Sequence, residues 1–190
     1  MELLGDVAYL RSCTEADDAF VYDVFSTTWE SEVAALPNQN LAQHVLRIQH
    51  IAQERRFASR YPAHQRYIVL EGGEPAGRLY VHESDTTVHV VDLTLMPRFR
   101  DRGIGSRIFR DLFTHAADAG KTITLRVERR NERATMLFSK LGFDLTSVDD
   151  LDNYFERAAT KEGLVAVTKE GPSSLTKEDP AALTKEHSAT

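Results

Sequence analysis

The stretch VDLTLMPRFRDRGIGSRIF, residues 91 to 109, constrains the fold more than any other part of the chain. A strand-like apolar run ends at Pro97, and an arginine-rich turn follows. Gly103 and Gly105 then lead into a pattern that puts Ile104, Ile108 and Leu112 on one helical face. The start of such a helix leaves several N–H groups unpaired and carries partial positive charge. Gly103, Ile104, Gly105 and Ser106 can therefore cradle a phosphate or pyrophosphate, and Arg100, Arg102 and Arg107 add charge and forked donors. Two common nucleotide fingerprints are excluded: G-x-G-x-x-G needs a glycine where Ile108 stands, and G-x-x-x-x-G-K-[ST] is absent.

The flanking elements alternate in type. VAYLRS (7 to 12) reads as a strand, and Thr14 with Asp17 signals the cap of a helix carrying Phe20, Val24 and Phe25. Leu41, Val45, Ile48, Ile51, Ala52 and Phe57 recur at helical spacing, which predicts a second helix from Leu41 to Arg60, stopped by Pro62. RYIVLE (66 to 71), PAGRLYVHE (75 to 83) and VHVVDLTL (88 to 95) form a β-meander, its first turn at Gly72-Gly73. Next come a helix over 104 to 119 closed by Gly120, a strand over 122 to 128, a helix over 132 to 141 closed by Gly142, and the strands FDLTSV and NYFERA. The fold class is α+β, with a meander feeding a strand–helix–strand unit.

Residues 1 to 158 read as one domain. After them Thr-Lys-Glu recurs at Thr160, Thr168, Thr176 and Thr184, with Pro172 and Pro180 between the repeats and few large apolar residues. The stretch 159 to 190 is thus expected to be a disordered octapeptide-repeat tail. A net charge of −6 argues against nucleic acid as a partner. No apolar run is long enough to span a bilayer. The lone cysteine, Cys13, and the lack of a signal-like start point to a reducing, cytoplasmic setting. The histidines show no ligand spacing with cysteine, so no metal is expected.

Arg100-Asp101-Arg102-Gly103-Ile104-Gly105 resembles the arginine-x-x-glycine-x-glycine signature of the GNAT superfamily of N-acetyltransferases. Asn131-x-x-Ala134-x-x-Leu137-Phe138-x-x-x-Gly142-Phe143 resembles that family's second signature, with phenylalanine at the place of its usual tyrosine. The resemblance implies a mixed, mostly antiparallel sheet of about six or seven strands with splayed central strands, flanked by about four helices. It also implies acetyl-CoA as cosubstrate. The pyrophosphate would meet the amides of residues 102 to 107, and the pantetheine would lie along Leu93 to Leu95. Asn131, a helix cap in its own right, and Phe138 would border the same site.

The chemistry so implied is direct attack of a primary amine, small-molecule or protein-borne, on the thioester carbonyl. The amine must lose a proton, the developing oxyanion needs a donor, and the thiolate leaves with or without a proton. Asp92 and Glu128 are the candidate bases, with Asp92 preferred, although strand parity leaves the choice open if a bulge interrupts the strand. Phe138 cannot donate a proton, so Tyr154, Tyr80 or water replaces it, or the thiolate leaves unassisted. The competing reading is a non-catalytic acyl-CoA sensor or scaffold of the same fold. The acceptor is left open, as is the choice between monomer and homodimer.

Overall fold

The computed structural model describes residues 9–158. Within them seven strands form one sheet: β1 (Leu10–Ser12), β2 (Gln65–Glu71), β3 (Glu74–Glu83), β4 (Thr87–Leu95), β5 (Thr122–Glu128), β6 (Asp144–Val148) and β7 (Asp152–Ala158). Their spatial order is β1-β2-β3-β4-β5-β7-β6, and every neighbouring pair is antiparallel except β4 with β5. The helices are α1 (Asp18–Ser26), α2 (Glu30–Ala34), α3 (Gln39–Arg60), α4 (Ile104–Ala119) and α5 (Glu132–Lys140). Four of these match the sequence expectation. The fifth, α2, buries no residue and is too short to show a period. Residues 7 and 8 of the expected first strand lie outside the described residues, as does the repeat stretch 159 to 190.

Local chemistry sets the boundaries. Gly72 and Gly73 both take positive φ (60° and 83°), as a two-residue turn joining antiparallel strands requires. The Asn131 side chain accepts from the Ala134 N–H at 3.0 Å and starts α5. At the other end Phe143 N–H returns to the Phe138 carbonyl at 3.0 Å, and the two rings pack 5.5 Å apart.

The sheet separates two layers. On one side Ile104, Ile108, Phe109, Leu112 and Phe113 of α4 pack on Leu79, Val81, Val88, Val90, Ile123 and Leu125. On the other, Val21, Val24 and Phe25 of α1, Phe57 of α3, Ile68 and Tyr80 are buried. Phe57 is the only buried residue on α3. Leu41, Ile48 and Ile51 are exposed, so the apolar repeat identified the helix correctly but not the face it buries. The sheet-facing contacts of α3 are instead polar: Gln53 and Glu54 both bind Arg78 of β3.

One irregularity organises the middle of the sheet. β4 pairs with β3 along its length, but Tyr80 sits opposite Asp92 while Val81 sits opposite Val90, which leaves Val91 as a bulge. Toward β5 the pairing runs only from Thr87↔Thr122 to Val90↔Leu125, whereas β5 continues to Glu128 against β7. Residues 91 to 95 therefore lose their partner on that side, and the sheet opens into a cleft between β4 and β5.

Gly77, opposite Leu95, holds the outer side of this segment. A Cβ there would lie 2.3 Å from the Thr94 carbonyl oxygen and 2.9 Å from the Leu95 Cα. Gly77→Ala should therefore push β4 away and lower the unfolding free energy by about 1–3 kcal/mol. The urea midpoint should fall accordingly.

Candidate active site

The strand-to-helix turn is built from a short 3₁₀ segment, Pro97–Phe99, whose Phe99 ring is buried and carries the Arg98 and Arg102 guanidinium groups at 4.8 and 5.5 Å. Asp101 and Gly103 follow with positive φ (62° and 74°), and the Asp101 carboxylate accepts from Arg133 of α5. The first helical bond of α4 runs from Arg107 N–H to the Gly103 carbonyl at 3.0 Å. Gly103, at the N-cap, has no side chain to satisfy the amides of Ile104, Gly105 and Ser106, so these are available to an anion. Ile104 is buried and fixes the turn, while the space where a Gly105 Cβ would stand is open. A phosphate fits such a cradle.

The three arginines divide their work. Arg100 donates to the Leu95 carbonyl at 2.9 Å and to the Thr27 hydroxyl at 3.0 Å, tying the loop to the end of β4 and to the end of α1. Arg107 pairs with Glu71 at 2.6 Å and covers the Tyr9 ring. Arg102 has no carboxylate partner among the described residues and is the arginine free to meet a phosphate.

From this cradle the cleft runs along Leu93 and Leu95, whose half-buried side chains turn to the α4 layer. The bulge at Val91 puts Asp92 on the opposite face, beneath α3. There its Oδ2 accepts from Arg78 Nε at 2.8 Å, and the Thr94 hydroxyl lies at 3.2 and 3.3 Å from the two carboxylate oxygens. Arg78 is almost fully buried and also meets Glu54 at 3.3 Å and Gln53 at 2.7 Å. Burial opposes the Arg78 charge, but Asp92, Tyr80 and Glu54 more than offset it and hold the guanidinium protonated. The Tyr80 hydroxyl lies 3.1 Å from Arg66 and 3.4 Å from Glu54, and burial pushes its pKa up to about 12.

The other predicted residues are spread more widely. Glu128 ends β5, exposed and paired with Arg130 at 2.8 Å. Tyr154 on β7 sits opposite Arg126 and donates to Asp149 at 2.8 Å. Phe138 packs among Phe109, Phe143 and Phe155, with no polar group to offer the cleft. Sequence reasoning missed Arg78 and Glu54. For Arg78 a signal existed: a lone arginine inside the apolar run of β3 must find carboxylates or leave a buried charge unpaired.

A splayed strand pair with a glycine-lined helix start at its mouth can be compared directly with known proteins. The acetyltransferase (GNAT) family model matches residues 21–143, from within α1 to just past α5, and includes both sides of the cleft. The chain belongs to the GNAT family. Among curated proteins none matches it. Solved structures share the fold. The PaiA N-acetyltransferase of Thermoplasma acidophilum in complex with coenzyme A has a TM-score of 0.59 at 16% identity over 78% of this chain and 97% of that one. An acetyltransferase from Thermus thermophilus has 0.57 at 17%, over 78% and 95%. YncA of Salmonella typhimurium, described as a putative acetyltransferase with its cofactor acetyl-CoA, has 0.50 at 17%, over 80% and 94%. The protein is thus an acyltransferase, and acetyl-CoA is the cosubstrate of its family.

Two outcomes follow for this GNAT enzyme. Among the described residues, Asp92→Ala leaves Arg78 buried with Glu54 as its one remaining carboxylate. Removing one partner of a buried pair costs roughly 3–5 kcal/mol, so with Glu54 remaining the loss should be about 2–3 kcal/mol, measured by urea unfolding.

The second outcome concerns His89, which hydrogen-bonds the Thr124 hydroxyl at 2.8 Å and stacks on Tyr61 at 4.6 Å. Burial, reinforced by Arg60, Arg126 and His82, lowers its pKa from 6.5 to about 4. Above pH 6.5 it is neutral whether folded or unfolded. Between 6.5 and 4 only the unfolded chain takes the proton, so stability falls with pH and levels off below that window. The melting temperature should show this decline, and His89→Gln should flatten it.

Proposed function

We propose that the protein transfers the acetyl group of acetyl-CoA to a primary amine by direct attack in a ternary complex. The observation that carries this reading is the end of β4–β5 pairing at Val90 and Leu125, which frees the β4 edge from residue 91 to 95 directly before the α4 cradle. When bound, the cosubstrate supplies an activated thioester. The amides of Gly103 to Arg107 and the Arg102 guanidinium would hold its phosphates, and the free edge at Leu93 and Leu95 would take the pantetheine. A backbone N–H on that edge would face the oxyanion. Asn131 and Phe138 would flank the far wall.

Asp92, on the freed segment of β4 but turned beneath α3, is the preferred group to draw the proton from the amine, with Glu128 as the other candidate. For the leaving group, Tyr154 is committed to Asp149 and Phe138 has no donor, so departure as thiolate is favoured. A thiol pKa of about 8.5 makes that group able to leave unassisted. No helix among the described residues is long and apolar enough to cross a membrane, and the single cysteine suits a reducing cytoplasm. The missing donor at Phe138 also favours a second reading, an acyl-CoA sensor that binds without transfer.

The test is calorimetric titration of acetyl-CoA into the wild type and into Gly105→Glu, whose side chain would enter the open cradle. The wild type should bind in the micromolar range and the variant should lose at least tenfold in affinity. Folded wild type that fails to bind would refute both readings, while binding without thiol release across a panel of primary amines would leave the sensor.

A further inference from the structure

We propose that this chain associates with copies of itself head to tail, the outer face of α3 on one molecule seating against the β6 edge and the β6–β7 turn of the next.

The carrying observation is where the exposed apolar surface lies. Among the described residues the exposed large apolar side chains fall in two places: Leu41, Ile48 and Ile51 on α3, and Met136, Leu137, Leu145, Val148 and Leu151 between α5 and β7. Apolar surface gathered in this way and rimmed by charge marks a site of association.

The α3 patch is a stripe. Leu41, Val45, Ile48 and Ala52 follow one another at helical spacing down one side of the helix, with Ile51 beside them. Ile48 is 63% exposed. It stands nine residues before the buried Phe57, which at about 3.6 residues per turn puts the stripe opposite the face that touches the sheet. Arg47, Arg55 and Arg56 flank it, exposed and without a carboxylate partner among the described residues. Glu54, the one acid of this helix, is turned inward to Arg66 and Arg78. The rim is therefore positive.

The second patch has the opposite sign. β6 ends the sheet, so its outer backbone edge pairs with no strand among the described residues. Leu145 sits opposite Phe155 and Ser147 opposite Tyr154. This leaves Thr146 as a bulge and returns Val148, opposite Asn153, to the face of Leu145. Leu151, 75% exposed, projects from the turn that follows. That turn is held in place: the Asp149 carboxylate accepts from the Leu151 and Asp152 amides at 2.9 and 2.8 Å, and the Leu151 carbonyl accepts from the Arg129 N–H at 2.9 Å. A side chain presented from a fixed backbone loses less freedom on docking. Asp144, Asp149 and Asp150 flank these residues, all exposed, and neither Asp144 nor Asp150 has a basic partner among the described residues.

The two patches together select the occupant. A second α3 would set arginines against arginines, and a second β6 aspartates against aspartates. One patch against the other opposes unlike charges. They also lie on opposite sides of the sheet, since α3 binds Arg78 on one face, whereas Leu145 and Val148 share the face of Phe155, which packs with Phe138 of α5. The contact is therefore heterologous and passes from molecule to molecule rather than closing on a two-fold axis.

Sedimentation of the full chain tests this. Wild type should grow beyond a dimer between micromolar and submillimolar concentration, and should shrink again as NaCl is raised from about 50 to 500 mM, which screens the charged rims. Ile48→Glu spoils the α3 patch and Leu151→Lys the other. Both side chains face solvent, so each variant should keep the wild-type circular dichroism spectrum and melting temperature while self-association weakens by at least about tenfold. Mixed in equal amounts, the two variants retain one intact patch each and should form a species of two chains and nothing larger. A wild type that stays monomeric or stops at a dimer, either variant associating as wild type does, or a mixture that stays monomeric overturns the proposal. So does a monomer that binds phosphatidylserine vesicles and loses that binding in Ile48→Glu, because the basic stripe then serves an anionic membrane.

Discussion

A parallel strand pair that stops halfway is the constraint on which the rest of this structure depends. Beyond Val90 and Leu125, β4 and β5 no longer exchange hydrogen bonds, although β4 keeps β3 and β5 keeps β7. Backbone polar groups on the inner edge of residues 91 to 95 must find partners elsewhere, in water or in a ligand. The bulge at Val91 opens the cleft by bending β4 at the residue where pairing ends. The loop after β4 then delivers the amides of α4 to the same opening, so a strand edge and a helix start meet there.

The bulge also assigns chemistry to faces. It turns Leu93 and Leu95 toward the α4 layer and Asp92 toward α3, so the apolar side of the cleft edge and the ionisable side are separated by the sheet itself. Beneath α3, Arg78 links Asp92 to Glu54, with Arg66 beside Glu54 and Tyr80. Two guanidiniums and two carboxylates balance there. Such a cluster is costly to desolvate, and each charge in it is balanced by a partner across the sheet face. Arg100 ties the turn before α4 to both layers, because one guanidinium spans the end of β4 and the end of α1.

Much of this was legible in the sequence because it depends on short-range physics. The glycines at 72, 73, 103 and 120 mark their turns, since each adopts a positive φ that other residues enter at a cost. Asn131 marks a helix start by its own side-chain bond, and the Ile104-Ile108-Leu112 face follows from helical period alone. Where the pattern misled, the reason is tertiary. Leu41, Ile48 and Ile51 have the spacing of a buried stripe, yet the part of α3 that reaches the sheet does so through Gln53, Glu54 and Phe57. Periodicity reports that an apolar face exists, not what it touches.

The sequence by itself determined the α+β order, the cradle and its glycines, and membership in the GNAT family, because each is written in residues close together in the chain. Only the tertiary structure decided which way Asp92 points, that Arg78 binds it, and that Glu54 of a distant helix completes the cluster. A single bulged residue reverses the parity of every position after it, and no local pattern near Val91 announces the bulge. Pairings across 14 and 24 positions of chain, as for Arg78 with Asp92 and with Glu54, arise only when the sheet and α3 are brought together.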